Sequence, residues 1–426
     1  MNSVSRKYCW WVLLIILIAF AVQLQAKDIV RPEKVTSMRK VIYNVETYRQ
    51  LASQWKQYYK EFKSEDAYAN WMYAKKYCRS DDYQKLLKKG LKKYPANPTL
   101  LYLSAMIRHG AIDNIDAIAK LERAVKLDPT FVDPWYGLVI NYMMQDEPEL
   151  VDHALRKMLE TGDISETVLD YSYNMLSSLR ENAILITNGD NDTYPGWVLT
   201  RVLKYRCDVT IINRPLLNTE WYPPYLTKYG VTGLMGSDQL TTFRQSIDNA
   251  IKSGQMQLPS TGPYADTLIV HIIDAARTAG RPIYFAATLS NTEILKPFLE
   301  GGLSLGLVTR ISVYESDYPD EFAFATDQWL NHFRTMGLDG WSLRFADLQD
   351  ASLKLSTNYS LGIMSLVSGD AQYHPDLVPE LFKWYKSHTM DLLPPEWQQH
   401  SNQLWCKLTS FPEIRKWCEE NGFLNE

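Results

Sequence analysis

The sequence predicts an α plus α/β fold class: a helical array, then a domain built on a parallel sheet, then a helical C-terminal region. Three observations carry that expectation. From about Glu33 to Leu179 apolar residues recur three and four positions apart, the spacing of one helix face. Within that stretch Pro95 and Pro129, 34 residues apart, each follow one helical segment and precede the next. Beyond Asn182 short apolar runs alternate with helical segments, the pattern of a parallel sheet covered on both faces. The chain has 426 residues, enough for roughly two to three domains of about 150 residues. It divides into residues 1–26, a signal peptide or N-terminal anchor; 27–179, the helical repeats; 180–315, the α/β domain; and 316–426, the helical C-terminal region.

The first segment has the three-part layout of a secretory signal. Arg6 and Lys7 are its positive region, and Cys9 to Leu24 is apolar apart from Gln23. Leu24-Gln25-Ala26 is read as a candidate cleavage site, with Ala26 last before the mature chain. The apolar run is short for a spanning helix of about 20 residues, and an uncleaved anchor over residues 8–24 is the alternative. The expectation is an exported protein, periplasmic or extracytoplasmic, that touches membrane only through this segment. Without it, Cys78, Cys207, Cys406 and Cys418 remain. Cys406 and Cys418, with Pro412 between them, can pair in an oxidising compartment. Cys78 and Cys207 are expected as buried thiols. A net charge of -4 gives no basic footprint, which excludes nucleic acid as the expected partner. The 27 Tyr and 13 Trp serve helix–helix packing or, in the sharper reading, a sugar- or peptide-binding surface.

The helical array carries a repeat. A period of 34 residues is that of tetratricopeptide helix pairs. Ala117, Leu121 and Ala124 precede Pro129, small residues that let two helices approach with Leu121 between them. Trp135, Leu138 and Tyr142 follow it at the large, apolar and aromatic positions of that repeat. Leu87 and Gly90 hold the corresponding places before Pro95. The array is therefore read as tetratricopeptide-like, with a protein partner on its concave face; a plain array of helical hairpins is the alternative.

The α/β domain is read as Rossmann-like. Its strands are Ala183–Thr187, Val209–Ile212, Pro282–Ala287 and Leu307–Val313. A helix is predicted from about Thr193 to Tyr205, with others at about 239–253 and 265–279, and Pro223-Pro224 is read as a break. From about Tyr318 the chain is helical again, its longest helix running from about Phe345 to Val367.

Asn188-Gly189-Asp190-Asn191-Asp192-Thr193 stands where the first strand ends and a helix begins, the place where open parallel sheets bind ligands. Asp190 and Asp192 can face one hard cation such as Mg²⁺ or Ca²⁺, with Asn188 and Asn191 as amide oxygens. Equally, Asp192 or Thr193 can cap the helix, and Pro195 suits its first turn. Asn213, Arg214, Thr288, Ser290 and Asn291, at the ends of the second and third strands, complete one candidate crevice. Gly302-Leu-Ser304-Leu-Gly306 matches GxSxG, but a nucleophile elbow needs a strand before the Ser and a helix after it. Here that order is reversed, and the glycines are read as a helix-to-strand turn. His271 and Asp274 can share a helix face, a pairing that is ordinarily a structural contact.

Several of these stretches resemble one family. Asn188-Gly-Asp-Asn-Asp-Thr-Tyr-Pro195, Tyr205-Arg-Cys-Asp-Val209, Leu216-Leu-Asn-Thr-Glu-Trp-Tyr222 and Arg281-Pro-Ile-Tyr-Phe285 are similar to the soluble C-terminal part of bacterial membrane proteins classed as protein O-mannosyltransferase-like. The resemblance covers about residues 180–315, and weakly Asn358-Tyr359. The family's transferase chemistry is expected in a multi-spanning membrane domain ahead of this region. Here a helical-repeat segment takes that place, so the resemblance implies an extracytoplasmic domain tied to glycan or envelope work and carries no catalytic residue across.

The expected function is an exported binding or scaffold protein of the cell envelope. Its repeats recruit a protein, and its α/β domain binds a glycan or small molecule at the Asn188–Thr193 loop. Two alternatives stand beside it: a metal-dependent envelope hydrolase or transferase using Asp190 and Asp192 with a divalent cofactor metal, and an accessory subunit of a membrane glycosyltransferase.

Overall fold

A computed structural model describes residues 30–78, 80–107, 114–259, 261–340, 343 and 350–424. The expected signal or anchor segment lies outside the described residues. No helix among the described residues is long and apolar enough to cross a membrane. The chain forms two compact units, one of residues 1–36 and 43–110, the other of residues 37–42 and 111–426.

The first unit is helical. Its helices are Val45–Phe62, Glu65–Lys76, Tyr83–Lys93 and Pro98–Ala105. Asn44, Ser64 and Asn97 cap three of them by accepting the N–H groups of Thr47, Ala67 and Leu100; each supplies an acceptor to a donor the helix cannot satisfy itself. Trp55, Met72, Ala74 and Leu100 are fully buried. Aromatic rings fill the space between helices: Tyr59, Tyr68 and Trp71 pack edge to face or tilted within 6.1 Å. Here the tyrosines and tryptophans serve packing. Gly90 is required because a Cβ there would lie 2.2 Å from the Tyr68 ring.

The second unit begins with helices Asn114–Leu127, Asp133–Met144, Pro148–Glu160 and Glu166–Ser177. Leu121, Ala124 and Leu138 are fully buried, and Trp135 and Tyr142 nearly so. Residues 37–42 belong to this unit as a strap with one turn, in which the Lys40 and Val41 N–H groups donate to the Ser37 carbonyl. Val41 bridges antiparallel to Asp350, and Ala351 N–H donates to the Lys40 carbonyl at 2.8 Å.

A small sheet follows, with β1 Ile184–Thr187, β2 Thr210–Asn213, β3 Ile283–Ala286, β4 Leu303–Ser304 and β5 Val308–Ile311. Its order is β2-β1-β3-β5-β4. β1 pairs parallel with β2 and with β3. β5 runs antiparallel to β3 and to β4. The sheet is therefore mixed, which corrects the expectation of an all-parallel sheet. The reason is connection length. Leu305–Leu307 alone join β4 to β5, and so short a link permits only an antiparallel pair. Gly306 makes that turn at φ +85°, with Trp329 close over it.

Ile184, Ile186, Ile212, Ile283 and Phe285 pack against Leu268, Ile269, Ile272 and Ile273 of the helix Ala265–Thr278. Strand alternation sends Leu185 and Ile211 to the opposite face, where Gly196 lets its helix close onto Ile211. Pro223-Pro224 does not break the chain; it lies in the first turn of a helix, Tyr222–Lys228, where a missing N–H costs nothing.

The C-terminal helices are Tyr318–Asp327, Ala351–Tyr373, Val378–His388, Pro395–Trp405 and Pro412–Glu420. The long helix is the one expected, ending six residues beyond Val367; its expected start at Phe345 lies outside the described residues. Cys406 and Cys418 form a disulfide across the last two helices. Cys78 is half-buried, but Cys207 is exposed, contrary to expectation. Cys207 follows Lys204 and Arg206, both at positive φ, in a turn that carries it to the surface.

Asp370 of the helix Ala351–Tyr373 accepts the Thr326 hydroxyl at 2.5 Å. Burial pushes its carboxyl up to about 6, with His374 and Asp376 as its titratable neighbours. An unfolded aspartate titrates near 3.9, so the folded state holds the extra proton between those values. The site's contribution is complete below pH 4 and is lost as pH rises through 6, up to about 3 kcal/mol. Asp370→Asn should therefore gain stability over the parent as pH rises from 4 to 7. Urea unfolding across that range checks it, and a pH-independent difference would contradict it.

Candidate functional site

The connection β1–helix–β2 runs to one side of β1, and β3 lies on the other, so the chain reverses its winding between β1 and β3. The Asn188–Thr193 loop sits at the carboxyl end of β1, at this switch point. Its helix, Asp190–Trp197, begins three residues earlier than expected. Asp192 causes that. Its carboxylate accepts Asn188 N–H at 2.9 Å and Gly189 N–H at 2.8 Å, so two backbone donors end on a side chain of the helix's own first turn. The Thr288 hydroxyl, from beyond β3, donates to the same carboxylate. Asp192 is almost fully buried, and burial raises its pKa against the opposing pull of these bonds. Thr193 continues the chain of contacts: its hydroxyl meets Thr187 Oγ1 at 2.7 Å and accepts Asn213 Nδ2 at 2.9 Å. Pro195 lies inside the helix rather than in its first turn, and the helix widens into a π turn at Val198–Val202.

Asp190 and Asn191 meet different partners. Arg39 of the strap reaches Asp190 Oδ2 through Nε at 2.8 Å and Asp133 Oδ1 through Nη1 at 3.3 Å. Its guanidinium lies 4.0 Å from the Tyr136 ring centre, a cation–π contact. Asn191 Nδ2 donates to the Arg39 carbonyl at 3.1 Å. The two loop carboxylates are thus engaged by separate groups. Among the described residues no cluster of three or more His, Cys, Asp or Glu is arranged to hold a metal ion.

The ends of β2 and β3 form a second polar node. Arg214 is 1% exposed. It holds Asp266 Oδ1 through Nε at 2.7 Å and Nη2 at 2.6 Å, and its Nη1 donates to the Ser290 carbonyl and hydroxyl. Thr292 donates to Asp266 Oδ2 at 2.8 Å. The structure places Asn213 and Arg214 at the carboxyl end of β2 and Thr288 at that of β3, on either side of β1, while Asn291 is exposed. Asp266 was not anticipated; nothing in its sequence neighbourhood marks it, because its partner stands 52 residues away.

The other family-like stretches act as clamps. Arg206 donates to the carbonyls of Leu176, Leu179 and Arg180 and to both oxygens of Asp208, closing the carboxyl end of the helix Glu166–Ser177. That pairing holds the Asp208 carboxyl at about 2. Arg281 donates to the Asn182 carbonyl at 2.7 Å and to Thr210 Oγ1 at 2.6 Å. Asn218 Oδ1 accepts the N–H groups of Tyr264 and Ala265 at the start of the helix Ala265–Thr278.

Ser304 lies on β4, inside the β4–β5 hairpin, with a helix before it and a strand after it. That is the reversed order read from the sequence. Asp274 pairs with Arg277 at 3.4 Å rather than with His271. Beside the loop, on the strap side, a cavity of about 140 Å³ is lined by Asn191 and Pro195, by Arg39 and Lys40, and by Ser165 and Ser352 at two helix starts. Sequence reasoning missed this cavity. Its one legible signal was Ser165 before Glu166, a helix-capping pair.

Residues 168–228 match the family model described as TMEM260-associated domain 2, which is linked to the protein O-mannosyltransferase-like family. The match covers about one seventh of the chain, from the helix Glu166–Ser177 through the loop and β2 to the helix Tyr222–Lys228. The chain matches no curated protein.

The two loop carboxylates should behave differently on removal. Asp192→Ala strands two backbone donors and a hydroxyl in a buried site and should cost about 3 kcal/mol. Asp190→Ala removes a half-exposed ion pair and should cost about 1 kcal/mol or less. Equal losses in urea unfolding would contradict this division. Arg214→Met leaves Asp266 buried and unpaired, at about 3–5 kcal/mol. The double variant Arg214→Met/Asp266→Leu should recover most of that loss, and a double variant no more stable than Arg214→Met would show that the pair is not the source.

Proposed function

We propose that this chain is an exported binding protein of the cell envelope: a tetratricopeptide-like array that recruits a protein partner, joined to a Rossmann-like unit that binds a small polar ligand or glycan beside the Asn188–Thr193 loop. One observation carries the reading. The loop's charged groups are engaged within the chain, by Arg39 at Asp190 and by Asn188, Gly189 and Thr288 at Asp192, while a cavity of mixed polar and apolar lining opens next to them. A metal-dependent hydrolase or transferase would need Asp190 to leave Arg39 and Asp192 to leave three donors, against burial that favours the protonated carboxyl. The backbone N–H groups of Asn188 and Gly189 end on Asp192, so they are not presented to a ligand phosphate as a dinucleotide fingerprint requires.

The match to TMEM260-associated domain 2 favours a second reading, an accessory subunit that works beside a separate membrane glycosyltransferase. Stoichiometric co-purification with such an enzyme from native membranes supports it, and fractionation without one counts against it.

A thermal-melt screen of the full chain tests the main reading, run with neutral glycans, nucleotide sugars, Mg²⁺, Mn²⁺ and Ca²⁺ beside Asp190→Asn. A ligand at a hundredfold excess over its Kd stabilises the native state by about 2.7 kcal/mol. The expected outcome is a saturable upward shift with a glycan or small polar ligand and no metal shift that depends on Asp190. A metal shift lost in Asp190→Asn would overturn the binding-only reading in favour of the enzyme.

A further inference from the structure

The cavity beside the loop has a chemistry that selects its ligand. Its walls come from distant parts of one unit: the strap at Arg39 and Lys40, Tyr136, the turn Gly162–Ser165, Asn191, and the helix start Asp350–Ser352. Two cations, Arg39 and Lys40, and two carboxylates, Asp163 and Asp350, line it. Lys40 Nζ pairs with Asp163 Oδ1 at 2.9 Å. Tyr136 donates its hydroxyl to Asp163 Oδ2 at 3.2 Å. Asp350 Oδ1 accepts Ser352 N–H at 2.7 Å as the cap of its helix. Arg39 is held by Asp133 and Asp190. Arg39 and Lys40 thus stand against four carboxylates, Asp133, Asp163, Asp190 and Asp350, so the surroundings are net negative and disfavour an anion.

Beside these charges stands uncharged hydrogen-bonding capacity of both kinds. Ser165 and Ser352 lie Oγ to Oγ at 3.0 Å. Two hydroxyls sharing one hydrogen bond leave one O–H to donate elsewhere, whichever is the donor. Asn191 gives one N–H to Arg39 and keeps its second N–H and its carbonyl oxygen. Tyr136 Oη, having donated, can still accept. Donors and acceptors interleaved at this spacing suit a ligand whose own groups do both, which is a hydroxyl. At about 140 Å³ the space is close to the roughly 150 Å³ that holds one six-membered ring in an engineered apolar cavity.

We infer that this cavity is a binding site for a neutral polyhydroxylated ring, a monosaccharide unit or cyclic polyol, with Ser352, Ser165 and Asn191 as its hydrogen-bonding contacts. The inference rests on the binding reading above and names its ligand class.

Ligand-observed NMR of the full chain tests it, with methyl hexopyranosides and myo-inositol as neutral probes and glucuronate and glucosamine as charged ones. The neutral probes should bind saturably and compete with one another, and glucuronate at least about tenfold more weakly, a difference of about 1.4 kcal/mol. Ser352→Leu should fill the cavity and abolish binding. Should that variant fold poorly, Ser352→Ala, which keeps the backbone cap from Asp350, should weaken neutral binding about fivefold. Charged probes that bind better than neutral ones, through a site Ser352→Leu blocks, would overturn the ligand class and leave the binding reading standing. Neutral binding unchanged in both Ser352 variants would move the site elsewhere. No saturable binding by any probe, with a melt screen also silent, would overturn both and leave a water-filled space.

Discussion

A carboxylate taken out of water holds the end of β1. Asp192 sits where the sheet reverses its winding, and it is bound to the chain before it and to the strand beyond it: Asn188 and Gly189 on one side, Thr288 on the other. Leaving any one of those donors unpaired in a buried site would cost as much as several exposed contacts yield. The arrangement sets the start of the helix Asp190–Trp197. That start sets the positions of Asp190 and Asn191, and these in turn receive the strap. The cavity exists because the strap, the loop and two helix starts meet there.

The same logic runs through the motif-like stretches. Arg206, Arg281, Asn218 and Arg214 are four polar side chains whose partners are mostly backbone carbonyls and amides at the ends of helices and strands. Short strands of two to four residues cannot hold a sheet by their own ladders, so the element ends are tied directly. The unusual residues of this region are explained first by architecture, and a ligand site has to be sought among the groups that architecture leaves over.

Legibility in the sequence followed the range of the interaction. Four of the five strands were read to within two residues because buried strands are apolar runs with turn residues at each end, and β4 was missed. The helices at 237–252 and 265–278 were read from period alone, also to within two residues. Strand direction was not legible, since it depended on a three-residue link and on β4, which is only two residues long. The loop was legible as a place of interest but not as a set of contacts. Thr288 lies 96 residues from Asp192 and Arg39 lies 152 from Asn191, and no local pattern announces partners at that distance. Pro223-Pro224 misled because proline stops a helix in its interior and starts one at its end.

The strap also has a consequence in time. Residues 37–42 belong to the same unit as Ala111 onward, while the helices between them form a unit of their own. A ribosome delivers the strap early, but its partners Asp133, Asp190 and Asp350 arrive much later, Asp350 after some three hundred further residues. At synthesis rates of about 5–20 residues per second, that is a wait of roughly 15 seconds or more. The first helical unit can complete itself within that interval. The larger one closes only when its own beginning is gathered back, so its cavity is among the last features of the molecule to come into being.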